Sequence, residues 1–106
     1  MKELTKIEEI LLMSIWKLED EAYGVKIRHH ISKLTGKDFT YGNLYSALHQ
    51  LTKKKYVVKS VGETAFERRG RRRIYYSLTS HGILALKRAF EMKEKLWAGV
   101  SKYAFE

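Results

Sequence analysis

The chain has 106 residues and contains neither cysteine nor proline. The missing cysteines exclude disulfides and thiolate metal centres. A reducing compartment suits such a chain. No apolar run approaches the ~20 residues of a membrane span, and the N-terminus lacks the basic-then-apolar layout of a signal peptide. The expectation is a cytoplasmic protein with no membrane association. Internal repeats and low-complexity stretches are also missing, so the length fits one domain. A chain this short hides only about 60–70% of the surface its unfolded form exposes, and a second subunit would add stability. The apolar fraction of 44% and charged fraction of 31% are those of a soluble domain.

Acidic residues are scarce in one segment. The net charge is +9, yet residues 1–52 carry seven basic and seven acidic side chains and cancel. Residues 53–73 carry nine basic side chains against Glu63 and Glu67. A fifth of the chain therefore holds most of the charge, and a focused patch attracts a polyanion. Five of the nine are arginines, whose forked guanidinium suits phosphates and base edges.

Periodicity supplies the elements. Thr5 with Glu8 makes a capping box at the start of a helix over residues 5–18, with Leu4, Ile7, Leu11, Ile15 and Leu18 on one face. Ile10, Leu12 and Trp16 widen that face. An acidic turn, Glu19 to Ala22, precedes a second helix from Tyr23 to Leu34, whose buried stripe is Tyr23, Ile27, Ile31 and Leu34 and whose stop is Gly36. Thr40 caps a third helix. Its inward stripe is Leu44, Leu48 and Leu51, which leaves Tyr41, Asn43, Ser46, Ala47, Gln50 and Lys54 on the polar side. Residues 56–61 and 73–78 read as strands. In the second strand Ile74, Tyr76 and Leu78 alternate with Arg73, Tyr75 and Ser77. Gly62 to Arg72 form a long basic loop between them. Thr79 caps a last helix that runs toward the C-terminus for some 25 residues, or roughly 37 Å. Its distal half, with Leu96, Trp97, Val100, Tyr103 and Phe105, needs a partner to cover it. A second copy is the simplest one.

The expected fold is mainly α with a small β-hairpin: a winged helix-turn-helix domain over residues 1–79 and a C-terminal dimerisation helix over residues 80–106. The third helix would enter the major groove, where base edges differ in their donor and acceptor patterns. The hairpin would lay arginines along the backbone or in the minor groove.

Two stretches carry a family resemblance. Residues 40–51, with Gly42-Asn43-Leu44-Tyr45 followed by Leu48 and Leu51, are similar to the recognition helix of the PadR transcriptional regulators. Residues 70–82, with Arg73-Ile74-Tyr75-Tyr76-Ser77-Leu78-Thr79 and Gly82, resemble the wing strand and helix start of that family. Tyr23-Gly24 matches as well. The resemblance covers about residues 4–90. It implies a homodimeric repressor bound to a palindromic operator in double-stranded DNA, responsive in many members to planar aromatic effectors. Carried over by position, Tyr41, Asn43, Tyr45 and Ser46 would meet the groove or its phosphates, and Arg71, Arg72, Arg73 and Tyr75 would form the wing; Thr40 at the cap and Gln50 and Lys54 on the polar face of the third helix complete the expected DNA-binding set. The C-terminal helix is of the short type. Two positions depart from the pattern: Lys55 stands where the family has glycine, and Ser46 where many relatives have proline.

Some residues keep two readings. Tyr45 is a core aromatic or a DNA contact. Tyr76 reads as core, whereas Tyr75 points with the arginines. Trp97 belongs to dimer packing or flanks a flat ligand, and Trp16, Phe90 and Val100 extend the same dimer or ligand surface. His29 and His30 are adjacent and diverge, and His49 and His81 lack companions at helical spacing, so no metal is expected. No nucleophile–base arrangement or phosphate loop occurs, so neither catalysis nor a cofactor is expected. The alternative function is a winged-helix module that binds an acidic protein or RNA.

Overall fold

Three threonines set the starts of three helices. The hydroxyls of Thr5, Thr40 and Thr79 accept hydrogen bonds from the backbone N–H of Glu8, Asn43 and Gly82 at 3.2, 3.1 and 3.0 Å. Each satisfies a donor that the first helical turn leaves unpaired. At Thr5 the box is complete, because the Thr5 N–H donates to Glu8 Oε1 at 2.8 Å.

The computed structural model describes residues 3–64 and 72–100. Helix α1 spans Lys6–Leu18, and a 3-10 turn over Glu19–Glu21 leads to α2, Gly24–Thr35. Helix α3 is Tyr41–Lys53, strands β1 and β2 are Val57–Thr64 and Arg72–Leu78, and α4 is Ser80–Trp97. The strands pair antiparallel from Val57 opposite Leu78 to Val61 opposite Ile74. The hairpin is not an isolated flap. The Tyr76 N–H donates to the Ala22 carbonyl at 2.8 Å, and Tyr23 bridges Tyr75. The chain just before α2 thus borders the second strand. The result is the mainly α winged helix-turn-helix that the sequence leads one to expect.

One core unites the elements. Leu11, Leu12 and Ile15 of α1 pack with Ile27 and Ile31 of α2 and with the leucines of α3. Tyr56, Val57 and Tyr76 close it from the hairpin side, and Ala85 and Leu86 from α4.

Three expectations change. Leu34 is exposed rather than buried, because it falls in the last turn of α2, beyond the edge of the core. The loop between the strands is shorter than expected, since β1 runs through Gly62 to Thr64. Gly62 fits a strand because the Tyr75 ring lies against it from β2, where a β-carbon would overlap the ring. Finally, α4 ends at Trp97 after 18 residues, or about 27 Å. Ala98 is extended and Gly99 has φ 83°, which breaks the helix although apolar spacing continues beyond it. Val100 therefore follows the helix end, and its N–H returns to the Trp97 carbonyl at 3.0 Å. Tyr103, Ala104 and Phe105 lie outside the described residues.

The end of α3 departs from the usual chemistry. The Tyr56 N–H reaches back to the Leu51 carbonyl and the Lys55 N–H to the Thr52 carbonyl, both at 3.0 Å. This pattern requires a left-handed residue at its corner, normally glycine. Here Lys55 takes that conformation at φ 64°. Replacing Lys55 with glycine should stabilise the fold by about 1 kcal/mol. Thermal unfolding should then shift upward by roughly 4–8 °C. A melting point at or below that of the wild type would show that the corner carries no such strain.

Candidate nucleic-acid interface

The leucine stripe fixes how α3 is rotated. Leu44, Leu48 and Leu51 are fully buried. At 3.6 residues per turn they share an arc of about 60°, and the line diametrically opposite runs through Gly42, Ser46, His49 and Lys53. All four are exposed. Of the residues expected from sequence, Ser46 lies on this line, and Asn43 and Gln50 border it, also exposed. His49 and Lys53 share this exposed line without having been expected there. The signal for them was the phase of the same three leucines.

Tyr41 and Tyr45 form the opposite border, against α2. Their rings stack with centroids 6.3 Å apart and planes 23° from parallel. The Arg28 guanidinium lies 4.8 Å from the centre of the Tyr41 ring, a cation–π contact. The Arg28 Nε–H also donates to the Phe39 carbonyl, in the turn just ahead of Thr40. At the far end, the Tyr45 hydroxyl sits where a β-carbon on Gly24 would stand. Both readings of Tyr45 therefore describe part of it. One edge packs on α2, while 45% of the residue stays exposed beside the outward face of α3. The column from Arg28 to Gly24 sets the spacing of the helix-turn-helix pair.

Lys54 points elsewhere. Its ammonium donates to Glu8 Oε2 at 2.5 Å, so it braces α3 against α1. Burial pushes the Glu8 carboxyl up. The hydrogen bonds from Lys54 and the Thr5 backbone outweigh that, and its pKa falls below the usual carboxylate value. The partner lies 46 residues away, beyond the reach of local periodicity.

The wing is anchored by aromatics. Arg73 stacks 4.3 Å over the Tyr23 ring, and Tyr23 meets Tyr75 edge-on at 5.5 Å. A hydrogen bond between Arg73 and Tyr75 raises the arginine pKa further. Arg73 and Tyr75 thus form the root of the wing, half-buried on the Tyr23 side. Arg72 opens β2 and only its backbone is described, and Arg71 lies outside the described residues. Lys53, Lys55 and Lys59 add exposed positive charge between α3 and the wing. Among the described residues, no group of three or more metal-ligating side chains is found.

A second, apolar surface lies away from α3. Met13, Leu34 and Phe90 line a groove of about 270 Å³ between α1, α2 and α4, with His30 Nδ1 and Ser14 Oγ 3.1 Å apart beside it. Of the four residues expected on a dimer or ligand surface, Phe90 lines this groove. Trp16, Trp97 and Val100 are each about half exposed outside it.

The model of the PadR-like transcriptional regulator family matches residues 11–88, from α1 into α4. Several solved structures share the fold. A PadR-like transcriptional regulator from Bacillus cereus superposes with a TM-score of 0.72 at 20% identity, covering 94% of this chain and 91% of that one. A PadR-like transcription factor from Bacteroides fragilis gives 0.74 at 23% identity, over 85% and 82%. A transcriptional regulator from Clostridium thermocellum gives 0.67 at 28% identity, over 91% and 90%. No curated protein matches the chain in sequence.

Proposed function

Because the chain belongs to the PadR-like family of transcriptional regulators, we propose that it is a homodimeric repressor that binds a palindromic operator in cytoplasmic DNA. Residues 1–79 form the DNA-binding domain and residues 80–106 the dimerisation segment. The observation that carries this reading is the exposed polar face of α3, held beside a wing within the most basic segment of the chain. Ser46, Asn43, Gln50, His49 and Lys53 meet base edges. Thr40, Tyr41 and Tyr45 meet the flanking backbone, and Arg71, Arg72, Arg73 and Tyr75 serve the wing. Phosphate contacts position the protein, whereas base contacts specify the sequence.

The dimer rests on α4. Phe90, Met92, Leu96 and Trp97 are all exposed in a single chain. Phe90 and Trp97 lie on one side of the helix and Met92 and Leu96 on the other, and exposed apolar groups on both sides of one helix are expected to be covered. Trp97 contributes packing there, and planar aromatic compounds that bind at this interface would release the operator.

Selection of bound sequences from a random duplex pool tests this reading. The expected result is a palindrome with half-sites about one helical turn apart, roughly 34–36 Å. Salt-sensitive binding with no preferred sequence would instead favour a module for an acidic protein or RNA. Adding planar aromatic compounds to the selected complex is the second arm, and an undisturbed complex would remove the effector from the proposal.

A further inference from the structure

Most glycines in this fold have an internal reason to be glycine. A β-carbon at Gly24 would overlap the Tyr45 hydroxyl, at Gly62 the Tyr75 ring, and at Gly82 the Tyr56 carbonyl. Gly36 and Gly99 have positive φ. Among the described glycines, Gly42 alone has neither. It sits in the first turn of α3 with ordinary helical backbone, and its nearest neighbour, Thr40 Oγ1, would be 4.0 Å from an added β-carbon. Glycine is a poor choice at such a position, since alanine would favour the helix and meet no obstacle.

If the fold does not ask for glycine there, something outside the chain does. Gly42 heads the outward line that continues through Ser46, His49 and Lys53. An α-helix with its side chains is about 10–12 Å across, and the major groove about 12 Å wide. Bulk on the outermost line therefore sets how deeply the helix can sit.

We infer that Gly42 is the point of closest approach between α3 and the duplex, a site where the absence of a side chain lets the helix seat and sets the reach of Ser46 and His49 to the base edges. This rests on the DNA-binding reading above and adds a determinant of affinity and specificity to it. The Ser46 and His49 contacts depend on that depth, so a side chain at position 42 lifts them together.

The test pairs stability with binding in Gly42→Ala and Gly42→Leu. The melting point of Gly42→Ala should equal or exceed that of the wild type. Its affinity for the selected duplex should fall on the order of tenfold, the loss of about one base contact. Gly42→Leu should bind more weakly still. Alanine binding as tightly as glycine would overturn the inference while leaving DNA binding intact. A lower melting point for Gly42→Ala would also overturn it, by showing that the fold needs the glycine. A wild-type protein that binds no duplex would overturn the DNA-binding reading and this inference with it.

Discussion

Alanine at Arg71, Arg72 and Arg73 together should flatten the salt dependence of duplex binding by about three units of slope and weaken binding on every sequence tested. Each lysine or arginine that neutralises a phosphate releases a counterion and adds about 0.9 to the slope. At 0.15 M salt, losing three such contacts corresponds to roughly a hundredfold in Kd. The effect should be nearly the same on operator and unrelated DNA, because phosphate contacts carry no sequence information. Arg73 separates from the other two in single substitutions. Its guanidinium also stacks on the Tyr23 ring, so Arg73→Ala should lower the melting point as well. Arg71→Ala should lower the salt slope and weaken binding without lowering the melting point. An unchanged slope in the triple variant, measured by titration at several salt concentrations, would refute the wing assignment.

The largest expected loss of stability is at Gly82. A β-carbon there would run into the carbonyl oxygen and carbonyl carbon of Tyr56. That carbonyl cannot move cheaply, since it accepts the Thr79 N–H at 3.0 Å. The Thr79 hydroxyl in turn bonds the Lys55 carbonyl at 2.6 Å and caps Gly82 itself. The start of α4 is thus bolted to the corner between α3 and β1 through backbone on both sides. Gly82→Ala should cost about 3 kcal/mol or more. The melting point should then drop by at least roughly 12 °C. Gly24→Ala is the informative contrast. Its obstacle is the tip of the Tyr45 side chain, which can swing aside, so the loss should be smaller. A Gly82→Ala protein that melts within a few degrees of the wild type would contradict the described docking of α4.

Local signals made much of this molecule legible. Thr5 with Glu8, Thr40 and Thr79 mark helix starts because a short hydroxyl side chain can satisfy the first turn. Gly36 marks a stop because it takes φ 72° without penalty. The leucines of α3 disclosed its rotation, although the full outward line had to be read from their phase. Other features depend on contacts distant in sequence. Nothing near Lys54 announces Glu8, and nothing near Gly62 announces Tyr75. The end of α4 is hidden in the sequence because apolar spacing continues into Val100, while a single left-handed glycine decides the matter. Lys55 shows the reverse: the missing glycine was visible in the sequence, and the structure shows that lysine adopts the glycine conformation in its place.

The pairing of Glu8 with Lys54 has a mechanical side. Helix α1 is a rod of 13 residues, about 20 Å long, with no proline to bend it. Near one end it grips the tail of α3 through that ion pair, and farther along it shows Met13 and Trp16 to solvent. Helix α3 is thereby tied to the same rod that carries Met13 and Trp16.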